Sequence, residues 1–228
     1  MCTRAKRRRL EDNSLQLPDE LLVLIFARLD HTELYQNVRL VCKRWFLLAS
    51  TPTLWTRIAA DPATPTGTVC RWIRTSRLLN QVRFRGRNDA NALVDHAARY
   101  SSNLRLIDVK NCWGTASSDV IRGRGLCRLL ERCPKLERMT FEGVKIKSCK
   151  FFRLIGARPA TNRRATETDS GYRFSYDGPM SGKQLTFLVD AVLSNRRPFV
   201  LMLDGNNGRK VTMDNERSEV TFECGARI

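Results

Sequence analysis

No stretch of this sequence is apolar for long enough to cross a bilayer. The longest unbroken run, Leu21 to Ala27, falls far short of the roughly 20 residues a spanning helix needs. The opening MCTRAKRRRLEDN is basic but has no apolar stretch directly behind it, so the layout of a secretory signal is missing. The chain is therefore expected inside the cell, in nucleus or cytoplasm, with no membrane partner. Histidine is nearly absent, with only His31 and His96, and the eight cysteines are scattered without a Cys-x-x-Cys pair. Metal-ligand spacing is lacking, and reduced thiols serving as small buried apolar side chains are expected instead of a disulfide framework. Gly-rich phosphate loops, a Gly-x-Ser-x-Gly elbow and a His-Glu-x-x-His helix are all missing. His31 lies in a turn between helical segments, and His96 stands beside Asp95 on a helix, where adjacent residues do not face one another. The DGNNGRK stretch from 204 has turn composition without the regular acidic ligands of a calcium loop. No catalytic residue, metal or cofactor is assigned, and the chain is read as a non-enzyme.

What is abundant is positive charge, +17 in 228 residues, and 42% of the residues are hydrophobic, which argues against wholesale disorder. Residues 1–15 carry +3, residues 16–60 carry +1 and the rest carries +13. The cluster Arg4, Lys6, Arg7, Arg8 and Arg9 reads as a disordered basic tail, suited to an acidic import receptor or a phosphate backbone. The excess beyond residue 60 fits an acidic protein, nucleic acid, or a surface that arginine keeps soluble.

Residues 16–58 carry the clearest periodicity. Pro18 suits a helix start, Asp19 and Glu20 favour that end, and Leu21, Leu22, Ile25, Phe26 and Leu29 recur along one face. Asp30 with Glu33 resembles a capping box opening a second helix, with Leu34, Val38, Val41, Trp45 and Leu48 on its apolar side, until Thr51-Pro52 ends it. Leu54 and Trp55 follow in a short final segment. A unit this small cannot bury all of these side chains internally, so part of the set is expected to meet a partner or the following region.

These residues resemble the F-box family: LPDELLVLIF, a spacer, VCKRW, then LW. The resemblance implies a three-helix module over residues 16–60 that docks on the Skp adaptor and, through it, on a cullin scaffold with its ubiquitin-conjugating enzyme. Leu17 and Pro18 match the family's opening pair, Ile25 and Leu29 its first-helix apolar positions, and Val41, Cys42, Lys43, Arg44 and Trp45 its second-helix signature. The adaptor-binding set it implies is Leu17, Pro18, Leu21, Leu22, Ile25, Phe26, Leu29, Leu34, Val38, Val41, Cys42 and Trp45, with Trp45 and Trp55 serving mainly the core.

Beyond residue 60 a weak internal repeat emerges. LNQVRFRGRN, NLRLIDVKNC and KLERMTFEGV share one apolar spacing: Leu79 with Val82 and Phe84, Leu104 with Ile107 and Val109, Leu136 with Met139 and Phe141. Phe174 with Tyr176, and Leu201 with Leu203, keep only the pair, with Asn206 at a repeat's asparagine position. Helices are expected between them over 91–99, 120–132, 149–155 and 183–194. GARPATNRRATETDSG, residues 156–171, reads as a loop. The fold class expected is α+β overall, a three-helix F-box followed over residues 61–228 by a short α/β solenoid of degenerate leucine-rich repeats. Its strands would project Arg83, Arg85, Asp108, Lys110, Thr140 and Glu142 toward a cargo. The function implied is the substrate-recognition subunit of a Skp-cullin-F-box ubiquitin ligase, presenting an unidentified protein cargo, for which the basic excess offers an acidic partner as one option. The alternative is a basic nucleic-acid-associated protein.

Overall fold

The computed structural model describes residues 17–115, 117–156, 172–194, 199–205, 209–214 and 219–224. The cluster from Arg4 to Arg9, the stretch 157–171 and Asn206 with the centre of DGNNGRK lie outside the described residues. Two units emerge, Met1–Thr56 and Arg57–Ile228.

The first unit holds α1 (Asp19–Phe26), α2 (His31–Gln36), a 3-10 turn (Val38–Leu40), α3 (Lys43–Ala49) and a second 3-10 turn (Pro52–Trp55). Pro18 stands just before α1, its carbonyl accepting from the amides of Leu21 and Leu22, each at 3.1 Å. The capping box forms as the spacing predicts: Asp30 Oδ1 accepts from the Glu33 amide at 2.8 Å, and Glu33 Oε2 from the Asp30 amide at 3.3 Å. The single second helix expected from Asp30 to Leu48 is corrected, because the chain breaks into α2, the 3-10 turn and α3. Cys42 is fully extended, with φ −159° and ψ 170°, and its Sγ accepts from the Trp45 amide at 3.5 Å. A new helix start can replace a lost main-chain partner while the apolar period continues across it. Leu22, Phe26, Leu34, Val38, Ala49, Leu54 and Trp55 are buried. Phe26 meets Trp45 edge-on at 5.2 Å, and Trp55 Nε1 donates to the Ala49 carbonyl at 2.8 Å.

The second unit is mixed α/β. Its main sheet runs in the order β1 (Arg57–Ala60), β2 (Gln81–Arg85), β3 (Leu106–Lys110), β5 (Arg138–Glu142), β7 (Tyr172–Tyr176), β8 (Phe199–Gly205), β9 (Arg209–Asp214) and β10 (Glu219–Cys224). The six strands from β1 to β8 are parallel and follow one another in chain order, and β9 and β10 continue the sheet antiparallel. Helices α4 (Thr66–Thr75), α5 (Ala90–Tyr100), α6 (Gly123–Arg132), α7 (Cys149–Gly156) and α8 (Gly182–Ser194) lie between the strands. The helix expected from Val120 begins only at Gly123, because Val120 and Ile121 form β4, paired with β6 (Lys145–Ile146).

One face of the sheet is a pair of apolar rows. Val82, Ile107, Met139, Phe174 and Leu201 stand in register, as do Phe84, Val109, Phe141 and Tyr176 one step along, and all are buried. Burying each such side chain contributes on the order of 1.5–3 kcal/mol. Phe151 and Phe152 of α7 close over this face, meeting Phe141, Phe174 and Tyr176 edge-on at 6.1, 6.2 and 5.7 Å among other pairings. The turns repeat as well. After α4, α5 and α6 the amides of Leu79, Leu104 and Leu136 donate to the carbonyls of Ser76, Ser101 and Cys133, each at 3.2 Å. After β2, β3 and β5 the equivalent residues Gly86, Asn111 and Gly143 take positive φ of 62°, 49° and 62°, a backbone state that favours glycine and asparagine.

Candidate protein-docking surfaces

The helical unit leaves much of its apolar surface in water. Leu17, Pro18, Leu21, Ile25 and Val41 are exposed, Leu29, Cys42 and Trp45 are half-buried, and Leu22, Phe26, Leu34 and Val38 are buried. The expected adaptor set thus divides into side chains a partner could touch and side chains that support them from beneath. Leu24, Leu40, Phe46 and Leu47 join the exposed group, Leu24 at 63%, Leu40 at 78% and Leu47 at 68%. Their signal was the surplus of apolar residues over what a small unit can bury, but no period singled them out. Arg44 holds the start of α1 in place: its Nε donates to Asp19 Oδ1 at 2.8 Å and its Nη2 to the Leu17 carbonyl at 2.5 Å. The Arg39 guanidinium lies over the rings of Tyr35 and Phe46, 5.0 and 4.6 Å from their centroids. His31 packs its ring against Trp55 at 5.3 Å.

The second surface is the sheet face opposite the apolar rows. Alternation places Arg57, Gln81, Leu106, Arg138, Arg173 and Val200 in one row of it, Arg83, Asp108, Thr140, Ser175 and Met202 in the next, and Arg85, Lys110 and Glu142 beyond. All six expected cargo residues therefore share this face. Arg83 and Arg85 are exposed, while Lys110 Nζ and Glu142 Oε1 form an ion pair at 2.8 Å. Asp108 is only 9% exposed, and its Oδ1 is buried with no hydrogen-bond partner. Burial pushes this carboxyl above the ordinary carboxylate value, against the pull of Lys110 and Arg85. Exposed Arg57, Arg138 and Arg173 were missed, since only residues between and after each apolar pair were considered. The residue before each pair projects to the same side.

Comparison with known proteins bears on the first surface. Residues 14–61 match the F-box-like family. The F-box-like segment thus includes every residue of the exposed apolar group. The chain is also similar to the putative F-box/LRR-repeat protein 23 of Arabidopsis thaliana, 27% identical over 136 residues. That similarity covers 55% of this chain and 28% of the relative, so the chain spans well under half of that protein's length. Among the described residues, no group of three or more His, Cys, Asp and Glu side chains could hold a metal ion, and no helix is long and apolar enough to cross a membrane.

Proposed function

We propose that this chain is a non-catalytic substrate receptor of a Skp-cullin-F-box ubiquitin ligase. The F-box-like segment binds a Skp-type adaptor and, through it, a cullin, and residues 61–228 hold a protein cargo. Ubiquitin transfer then depends on the effective concentration at which the cargo is held near a conjugating enzyme elsewhere in the assembly. The observation that carries this reading is the exposed apolar group of Leu17, Leu21, Ile25 and Val41 lying within the F-box-like match. Leu22, Phe26, Leu34 and Val38 form the floor that holds it. We read the second unit as a short leucine-rich-repeat-like solenoid. Parallel strands in chain order, the recurring Leu79, Leu104 and Leu136 turns and the stacked apolar rows support that reading, because such units bury their faces only against neighbours.

The test is capture of purified Skp adaptor by the full chain, compared with Ile25→Glu/Val41→Glu. Both side chains are exposed, so the variant keeps its fold, which its far-UV spectrum and melt would report. Burying two unpaired carboxylates in an apolar interface should weaken binding by about a hundredfold or more, on the order of the 2–4 kcal/mol of an interface hot spot. Unchanged capture by the folded variant, or none by the native chain, would sink the receptor reading.

A further inference from the structure

We propose that the open face of the sheet docks an acidic peptide segment of a partner protein, its carboxylates meeting Arg83, Arg138 and Arg173. This deepens the receptor reading by giving the cargo a chemistry, and it rests on that reading for its biological role.

Arg138 and Arg173 are register partners on adjacent parallel strands, which run about 4.8 Å apart. Both are exposed, and neither has an ion-pair partner among the described residues. Like charges directly opposite one another are destabilising, so a carboxylate set between them would relieve the pair. Arg83 stands two strands away and one row further on, exposed and likewise without an ion-pair partner, and Arg57 extends the basic lane to the edge. Within the lane, buried Asp108 stands opposite Arg83 and offsets part of its charge, while the other nearby acids are engaged elsewhere. Glu137 pairs with Arg105, Glu142 with Lys110, and Asp177 accepts from the Gly143 amide. Arg83 lies two strand spacings across and two residues along from Arg138, about 12 Å and close to the rise of four extended residues, so carboxylates at positions i and i+4, which share one face of an extended peptide, would reach both Arg83 and the Arg138–Arg173 pair.

An aromatic platform is what a single-stranded nucleic acid would ask of this face and an acidic peptide would not. The rows facing outward from β1 to β8 hold no aromatic side chain on which a base could stack, which favours a peptide over a single-stranded nucleic acid.

The experiment is fluorescence anisotropy of labelled short peptides with the full chain: one with Glu at every fourth position, its Gln counterpart, and a single-stranded RNA of equal charge. We expect binding of the Glu peptide, at least about tenfold weaker binding of the Gln peptide, and a similar loss for Arg138→Glu/Arg173→Glu. Arg124→Glu, on helix α6, should leave binding unchanged, and Asp108→Asn, which removes the charge opposing Arg83, should tighten it. Equal binding of both peptides, no loss in the double variant, or tighter binding of the RNA on the same arginines would overturn the proposal. Adaptor capture is measured on the same samples. Capture without peptide binding refutes this inference and leaves the receptor reading standing, whereas peptide binding without capture does the reverse.

Discussion

Burying a guanidinium costs several kcal/mol unless nearly all of its donors find acceptors, and Arg87 shows how the second unit meets that cost. It is only 4% exposed. Its Nε and Nη2 grip the two oxygens of Asp89 at 2.9 and 2.7 Å, while Nη1 donates to the carbonyls of Thr64, at 2.7 Å, and Asp61. One side chain thus ties the loop before α4 to the start of α5. Burial pushes the Asp89 carboxyl up, but hydrogen bonds from Arg87 and Thr66 outweigh it and hold the group below the ordinary carboxylate value. A carboxyl lowered in the fold contributes stability that is present above its unfolded value and lost as pH falls through the folded one. Arg87→Met should therefore lower the unfolding free energy at neutral pH by about 3–5 kcal/mol, because it leaves Asp89 buried without its cation. The gap between native and variant should narrow on acidification below the carboxylate range. Urea melts over a pH series would check both, and a gap independent of pH would show that packing, and not the ion pair, carries the effect.

At the scale of elements, local signals were legible where one residue type has one structural use. The Asp30–Glu33 box is such a case: Asp30→Ala should lower stability by about 1 kcal/mol in denaturant melts, the usual value of an N-cap, and Asp30→Asn by less. The strands around Val82, Ile107, Met139, Phe174 and Leu201 were legible for the same reason, since alternation of period two admits few other readings. The break between α2 and α3 was not. The apolar period of Leu34, Val38, Val41 and Trp45 runs across it, and only the extended backbone at Cys42 shows that Val41 leaves the core, 59% exposed, while Val38 stays in. Strand β1 and helix α4 were also missed. Strand β1 is only four residues at the sheet edge, and α4, though ten residues long, opens in a proline- and threonine-rich stretch and buries only Val69, Trp72 and Ile73. Exposure itself cannot be read from a sequence, because Leu40 and Leu34 are one residue type with opposite fates, 78% and 2% exposed. The arginine lane needed the strand register as well: Arg138 and Arg173 lie 35 positions apart and become neighbours only once β5 and β7 are paired.

For the whole molecule the question is where the sheet stops, since an unpaired strand edge is a template for another chain. The β1 edge is short, four residues, with Arg57 and Ala59 exposed, a combination that discourages pairing. The other end of the parallel run is β8, FVLMLDG, whose apolar sequence would make a hazardous edge. There the chain turns back antiparallel, and β9 covers β8 over six register pairs from Val200 to Gly205 before β10 pairs with β9 in turn. The hairpin thus replaces a long apolar edge with strands of mixed polarity. A chain ending at Gly205 should keep its helical unit and most of its sheet but expose β8. Size-exclusion chromatography with light scattering should show it forming larger species than the full chain under the same conditions, and placing a lysine on the open strand by Met202→Lys should reduce them. If the shortened chain matched the full one in size and in its melt, the hairpin would not be what guards this edge, and the sequence of β8 would have to resist pairing unaided.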